Sequence, residues 1–456
     1  MKLIKTYFLL ITCILTISGH SQQNKSVATK KPIVTKNNVV IKESNGFNLT
    51  FLTKNLNKER ISLYMIYGTA KKQIVSDSIT IKSNEEKVSF KFDKKIISAI
   101  YFLKIESQPK TIEIAIDNNT NASFTLENNN IETLICTKDQ KNIDFINYQK
   151  TEKILTIEQR IEARNGIAKK YPNSILNLYF KFENQIAEKF PVTDNDKVKF
   201  RDSFFSSFDK DDKRIYLLPN INKFLYKFVN ILPVTNENYI KNMDLVLKGM
   251  DCKSRNYAVY AKYFMVNISF YETKNLEESF NHLYKNYFEE NKCKAFTDND
   301  MATYNNKYYT NKKVPLLSKT PDFDLVTKDS TIYTLSKIYP ENDFTLVAFY
   351  SPTCEHCQKN MPVVSDFFGT MKTKYPEKKI QLIAVLNDDE EDKWESFISE
   401  KKLANWLNLK CPDKTKKYKE DFNAYSNPCY FLINKSGTVV LKSFNNKAIE
   451  EILKSN

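Results

Sequence analysis

Phe349-Tyr350-Ser351-Pro352-Thr353-Cys354-Glu355-His356-Cys357-Gln358-Lys359 is the stretch on which the fold turns. The run before its proline, Thr345-Leu346-Val347-Ala348-Phe349-Tyr350, has the length and composition of a buried strand. It feeds a Cys-x-x-Cys, and residues 354–371 carry a helical pattern. Only a thiolate attacks a disulfide, and a helix N-terminus holds negative charge through its dipole and free N–H groups. The first cysteine of such a pair sits at the helix mouth, open to a partner. The second lies one turn in, near enough to release a mixed disulfide. Cys354 is therefore the candidate nucleophile and Cys357 the resolving thiol. Glu355 and His356 modulate in opposite senses: a carboxylate disfavours the thiolate and a charged imidazole favours it. A bare Cys-x-x-Cys says little, but one set between a buried strand and a helix says much more.

Outward from this point the pattern continues in kind. Asp322 to Leu335 alternates like a short hairpin, and Gln381 to Leu386 reads as a strand. Glu390 to Lys402 reads as a helix, acidic at its start and basic at its end. Tyr430 to Ile433 and Thr438 to Leu441 form a hairpin with Gly437 in the turn, and Lys447 to Leu453 a closing helix. Such a βαβα run followed by ββ and α predicts a mixed sheet covered by helices.

With these residues in place, the segment resembles the thioredoxin superfamily, in particular the exported TlpA/ResA-like thiol–disulfide oxidoreductases of Bacteroidetes. The resemblance covers about residues 314–456. Besides Cys354-Glu355-His356-Cys357, Pro362 stands where that family places a helix-kinking proline. Tyr425-Ser426-Asn427-Pro428-Cys429-Tyr430-Phe431-Leu432-Ile433 is similar to the family's cis-proline loop and the strand after it. The resemblance implies that Pro428 is cis and packs on the cysteine pair, with the Asn427 backbone pairing with a bound substrate strand. It also implies disulfide exchange with no metal or organic cofactor beyond the Cys354–Cys357 disulfide. Two places depart from the family. Ala348 stands where many thioredoxins bury an acid, and Asn360 stands where ResA-like proteins carry a glutamate. Redox poise in such folds runs from about −270 mV for thioredoxin to about −120 mV for DsbA, so these changes bear on redox direction.

Other readings of the pair meet obstacles in the sequence. A structural zinc site usually joins two close-spaced knuckles. Cys411, Cys429 or His356 would have to supply the second half, since no second Cys-x-x-Cys exists. A peroxiredoxin-like Pro-x-x-x-Thr-x-x-Cys would need Pro and Thr where Val347 and Ser351 stand. A purely structural Cys354–Cys357 bridge closes so small a loop that it constrains the unfolded chain little. Among the remaining cysteines, Cys252 and Cys293 lie in the helical region and could pair as a staple, a pairing the sequence leaves open. Cys136 reads as a buried thiol. Cys429 follows the cis-proline candidate and is a possible extra thiol, exchanging with the active pair or with Cys411. His282 has no partner nearby in sequence and reads as a surface histidine.

The front of the chain is different. From about Phe47 to Leu134 the apolar residues alternate, as in Ile112-Glu113-Ile114-Ala115-Ile116, which predicts strands of a sandwich or small barrel. From about Ile143 to Tyr309 they recur three and four apart, with Pro172, Pro191, Pro219 and Pro233 as boundaries, which predicts a helical bundle. Most of its many Tyr and Phe residues lie at helical spacing and belong to its core. At the N-terminus, Lys2 and Lys5 precede an apolar run from Tyr7 to Ile17 and then small residues, the form of a secretory signal peptide. That run is shorter than the roughly 20 residues a membrane span takes. Leu10-Ile11-Thr12-Cys13 only loosely imitates a lipid-attachment box, because Cys13 lies inside the run.

The chain carries 69 Lys+Arg against 54 Asp+Glu, a net +15, which invites a nucleic-acid reading. The excess has no dense block. Residues 314–456 are neutral, and all but the two signal lysines' share is spread over residues 23–313. With seven glycines and no Gly-x-Gly-x-x-Gly or Walker loop there is no dinucleotide or P-loop fingerprint. Three histidines exclude a site built on several of them.

The sequence thus predicts a multidomain α+β chain. Residues 1–22 are a signal peptide and 23–40 a flexible leader. A β-sandwich-like domain follows over 41–142, a helical domain over 143–312 and a thioredoxin-like α/β domain over 313–456. The expected activity is thiol–disulfide exchange in the periplasm or cell envelope, in the direction of reducing protein disulfides. The expected partners are protein thiols and disulfides and a redox partner protein, with no nucleic acid and no transmembrane segment in the mature chain. The alternative makes the first 310 residues a binding or assembly module and the last domain its docking platform.

Overall fold

Eight strands open the described chain: β1 (Phe47–Lys54), β2 (Arg60–Tyr67), β3 (Lys72–Thr80), β4 (Glu85–Phe92), β5 (Ala99–Ile105), β6 (Thr111–Ile116), β7 (Thr120–Glu127) and β8 (Ile135–Lys138). The structure is a computed structural model that describes residues 45–455 apart from 57, 69–71, 269–273, 292, 389 and 413–416. The segments expected to be a signal peptide (1–22) and a leader (23–40), with Cys13, lie outside the described residues. The strands form two four-stranded sheets, ordered β4-β1-β7-β8 and β3-β2-β5-β6. The alternation predicted in the sequence decides which face is inside. Leu49 and Phe51, Val88 and Phe90, Ile112, Ile114 and Ile116, and Ala122, Phe124 and Leu126 all enter one core between the sheets. β1 lies parallel to β7 and antiparallel to β4.

The second sheet has a second buried face. Ile100 and Ala115 point away from the sandwich into the core of the helical region. β6 is an edge strand, and an open edge invites unwanted pairing. Here the helix α1 (Gln140–Thr151) closes it with two side-chain amides. Asn142 pairs with both backbone groups of Ala115 at 2.9 and 3.0 Å, and Gln149 with both of Glu113 at 3.0 and 2.9 Å.

The helices that follow are α2 (Ile157–Lys170), α3 (Ile175–Ala187), α4 (Asp194–Ser203), α5 (Ile221–Val229), α6 (Asn236–Leu247), α7 (Arg255–Ile268), α8 (Glu277–Leu283) and α9 (Asp298–Lys313). Pro172, Pro191, Pro219 and Pro233 all fall between helices, as their missing N–H requires. Thr156, Ser174, Thr193, Thr235 and Thr297 cap the starts of α2, α3, α4, α6 and α9 with their side-chain oxygens. The core is aromatic: Phe182, Phe204, Phe205, Phe208, Phe224 and Phe228 stack and tilt on one another. Cys252 and Cys293 form a disulfide. His282 departs from the surface reading. It is half-buried and hydrogen-bonded to Asp244 at 2.8 Å, a partner 38 residues away in sequence.

The last third contains β9 (Asp324–Val326), β10 (Ile332–Thr334), α10 (Leu335–Ile338), β11 (Phe344–Tyr350), α11 (Glu355–Lys374), β12 (Ile380–Leu386), α12 (Trp394–Glu400), β13 (Leu407–Lys410), α13 (Lys417–Asp421), β14 (Cys429–Asn434), β15 (Val439–Leu441) and α14 (Asn446–Ser455). Its seven-stranded mixed sheet is ordered β10-β9-β13-β12-β11-β14-β15. β11 is buried along its whole length, parallel to β12 and antiparallel to β14. Phe344, Leu346, Ala348 and Tyr350 face the core under α11 and α14, while Val347 and Phe349 face the opposite one. Gly437 makes the β14–β15 turn at φ +77°, a region costly for residues with a Cβ. Two details differ from the sequence reading. The helix expected over Glu390 to Lys402 is a 3-10 turn followed by the shorter α12. α10, β13 and α13 lie where the sequence predicts no element. β13 has four residues and only Leu409 fully buried, too short to show a period. The chain is a multidomain α+β protein: a β-sandwich, helices, and a helix-covered mixed sheet. Residues 44–456 form one compact unit. Among the described residues no helix is long and apolar enough to cross a membrane.

Candidate active site

β11 ends at Tyr350, and a turn through Ser351, Pro352 and Thr353 delivers Cys354 to the mouth of α11. Cys354 is the N-cap. Its Sγ accepts the backbone N–H of Cys357 at 3.3 Å, which spends one of the helix's free donors on sulfur. The Cys354 thiol in turn donates to the carbonyl of Asn427 at 3.4 Å. The Asn427–Pro428 peptide is cis. One contact thus joins the two segments that sequence singled out, 73 residues apart.

Cys357 is fully buried one turn inside α11, and both thiols are free. Burial pushes the Cys357 thiol well above its ordinary value, and the neighbouring Cys354 and Cys429 sulfurs add to the rise. Ala348 is buried and apolar, and Asn360 is exposed on α11, so neither place offers Cys357 a carboxylate. Its surroundings are instead Met361 and two tyrosines, Tyr350 and Tyr430, in the same core. Burial raises both phenols. Tyr430 donates to the Met361 sulfur at 3.8 Å. Strand periodicity marked these tyrosines only as core. Their place around Cys357 follows from β11 and β14 being neighbours.

Glu355 faces solvent and pairs with Lys359 at 2.5 Å, which lowers its carboxyl pKa. His356 is exposed. Cys429 joins the group: half-buried at the start of β14, it donates to the Ser426 carbonyl at 2.7 Å, and burial raises its thiol. Cys411 does not. It follows β13 and lies against the Asp324 carbonyl. β12 and β11 separate β13 from β14, so Cys411 and Cys429 are about three strand spacings apart, roughly 14 Å. A disulfide needs Cα atoms within about 7 Å. Exchange between Cys429 and Cys411, and a zinc set drawing on both, therefore fail on geometry. Cys136 is remote, buried in the sandwich, and burial pushes its thiol up to about 12.

One residue here escaped the sequence reading. Asn387, buried just beyond β12, donates its backbone N–H to the Tyr350 carbonyl at 2.8 Å. Its side-chain amide donates to the Ala424 carbonyl at 2.8 Å and to Asn427 Oδ1 at 2.7 Å. It ties the end of β11 to the cis-proline loop and so fixes the distance across which Cys354 meets Asn427. In sequence it reads as the first polar residue after a strand, and nothing marks it further.

Residues 342–439 match the model of the thioredoxin-like family. Among solved structures, the chain is similar to a thioredoxin-like protein from Bacteroides caccae, at 16% identity over 59% of this chain and 98% of that one, with TM-score 0.40. It is similar to the thioredoxin domain of a thiol-disulfide oxidoreductase from Bacteroides vulgatus, at 19% identity over 31% and 97%, with TM-score 0.27. It is also similar to a putative thiol:disulfide interchange protein from Chlorobium tepidum, at 22% identity over 31% and 97%, with TM-score 0.26. No curated protein matches the chain.

Proposed function

We propose that this chain, whose C-terminal domain is thioredoxin-like, is an exported thiol–disulfide oxidoreductase that reduces disulfides of cell-envelope proteins through Cys354 and Cys357. The observation that carries the reading is the position of Cys354. It caps α11, takes the Cys357 N–H on its sulfur, and touches the carbonyl beside the cis-proline. In the first step the Cys354 thiolate attacks one sulfur of a substrate disulfide. That S–S bond breaks, a mixed disulfide forms on Cys354, and the first substrate thiolate leaves and takes a proton from water. Cys357, losing its proton to water, then attacks Cys354 Sγ. The mixed disulfide breaks, the second substrate thiol leaves, and Cys354–Cys357 is oxidised. Two electrons have passed to the substrate, and a dithiol protein partner returns them. No metal or organic cofactor enters these steps. Asn427 and Pro428 dock the substrate backbone, and Glu355 and His356 tune Cys354 from outside.

The raised Cys357 thiol without a carboxylate beside it favours a second reading, in which the domain is a docking platform for the front of the chain. One experiment separates the two. Cys357→Ala should accumulate envelope proteins bound to Cys354 by reducible bonds, and the parent should reduce insulin. A chain that traps nothing and leaves insulin oxidised is the platform.

A further inference from the structure

A cleft of about 350 Å³ opens beside the cis-proline loop, between the helical region and the thioredoxin-like domain. Its walls are Phe280 of α8, Lys307 of α9, Pro428 and Cys429 of the loop, and Ser443 and Phe444 after β15. We infer that this cleft receives an apolar side chain of a polypeptide substrate, next to the cysteine whose disulfide is exchanged, so that the middle domain sets substrate choice. The inference rests on the exchange activity proposed above.

Three observations support it. First, the cleft begins where the exchange site ends. Cys354 touches the Asn427 carbonyl, and Pro428, the next residue, already lines the cleft. A polypeptide whose sulfur reaches Cys354 and whose backbone follows this loop advances about 3.3 Å per residue. Its neighbouring side chains therefore pass over the cleft, which a small disulfide does not reach.

Second, the helical wall is fastened to the loop. The Asn423 amide donates to the Asn306 carbonyl at 3.0 Å, to Asn306 Oδ1 at 2.9 Å and to Thr310 Oγ1 at 2.8 Å. Asn306 donates to Ser426 Oγ at 3.1 Å. Below them Lys442, mostly buried, pairs with Glu277 of α8 and donates to Asn311 Oδ1 and the Val314 carbonyl, both at 2.8 Å. The cleft is thus preformed, which lowers the ordering cost of binding.

Third, the lining suits an apolar guest. Phe280, Phe444 and Pro428 face it, the Lys442–Glu277 pair is self-compensated, and the Lys307 ammonium lies over the Phe280 ring at 4.8 Å. The volume lies at the low end of the ~300–1,000 Å³ of small-ligand pockets, room for a large side chain.

The test uses peptides of one sequence carrying a cysteine linked to 2-nitro-5-thiobenzoate, with either leucine or serine beside the cysteine, and Ellman's reagent as a small disulfide. The reduced full-length protein should react with the leucine peptide at a KM at least about tenfold lower than with the serine peptide. Ser443→Trp, which fills the cleft, should abolish that preference and leave the rate with Ellman's reagent unchanged. Lys307→Trp fills the cleft from the opposite wall and should do the same. Equal KM values for the two peptides with the parent, or a preference that survives both fillings, overturn the inference and leave the exchange activity standing. An absent reaction with Ellman's reagent removes the underlying activity and the inference with it.

Discussion

Replacing Asn387 with alanine tests whether one buried amide sets the geometry of the site. The side chain makes two hydrogen bonds, to the Ala424 carbonyl and to Asn427 Oδ1. Ala424 is fully buried, so its carbonyl would lose its partner with no water to replace it. A buried acceptor left unpaired costs about 1–3 kcal/mol. Asn427 is half-buried, and its amide oxygen can turn to solvent, so that loss is smaller. Against these stands a gain. Asn387 Oδ1 is itself buried without a partner among the described residues, and alanine removes it. The net expectation is a destabilisation of roughly 2 kcal/mol, read by urea unfolding of the reduced protein.

The functional effect is separate from that loss. With the loop untied, Asn427 no longer holds its place before Cys354, so KM for a polypeptide disulfide should rise while the rate with a small disulfide stays near the parent's. Asn387→Asp adds a pH dependence. Its protonated carboxyl can still donate once, but its ionised form faces two oxygens, which raises its folded pKa above the unfolded value of about 3.9. Its deficit should be modest at pH 4 and grow as pH rises through the raised pKa. If Asn387→Ala unfolds within about 0.5 kcal/mol of the parent with an unchanged KM, the loop is held by other contacts and the assigned role is wrong.

Three further outcomes follow from the same structure. Cys252 and Cys293 close a loop with a sequence separation of 41, worth roughly 4 kcal/mol by the chain-entropy relation. The double Ser variant should therefore unfold at markedly lower denaturant while keeping its rate with Ellman's reagent. Glu113, on β6 and hydrogen-bonded to Tyr179 of α3 at 2.9 Å, is pushed up to about 7 by burial and then by nearby Glu183. Its folded pKa lies above the unfolded 4.5, so its ionisation withdraws stability as pH climbs from about 4.5 through about 7. Glu113→Gln should thus be neutral at pH 4 and stabilising, on the order of 3 kcal/mol, above pH 7, as read by thermal or urea melts. The raised Cys357 thiol predicts that decay of the mixed disulfide on Cys354 quickens about tenfold per pH unit through neutrality, and acid-quench kinetics showing a flat profile would contradict that.

What could be read in the sequence was what repeats or what is locally crowded. β11 is seven consecutive buried residues, and its neighbours confine it to the middle of a sheet. The sandwich strands alternate because only one face of each meets the core. Cys-x-x-Cys announced itself because strand, turn and helix are contiguous. Pairing order was not legible: β1 finds β7 in parallel across the whole intervening sandwich, and no local pattern encodes that. Nor was β13, since four residues with one fully buried side chain leave no period to detect. The surroundings of Cys357 fell between these cases. The sequence showed that Ala348 and Asn360 are not acids, but that Tyr350 and Tyr430 close around the thiol depends on β11 and β14 being adjacent.

The least legible part is the joint between the helices and the thioredoxin-like domain, and its chemistry explains why. An apolar joint would have left a hydrophobic stripe on α9. This one is made of Asn306, Thr310, Asn311 and Asn423, residues that on any helix or loop read as solvated. Its central ion pair, Lys442 with Glu277, spans 165 positions and is mostly buried. Burial lowers the lysine's pKa and nearby Lys307 adds to that, while the facing carboxylate and the Asn311 and Val314 acceptors let the charge remain. Removing one partner of such a pair commonly costs 3–5 kcal/mol, whereas replacing both by apolar groups can cost little. A polar joint is therefore demanding about register. It tolerates one alignment of α8 and α9 against the cis-proline loop, while a greasy one would tolerate several. That demand suits a surface whose second duty is to keep a cleft of fixed shape beside Pro428.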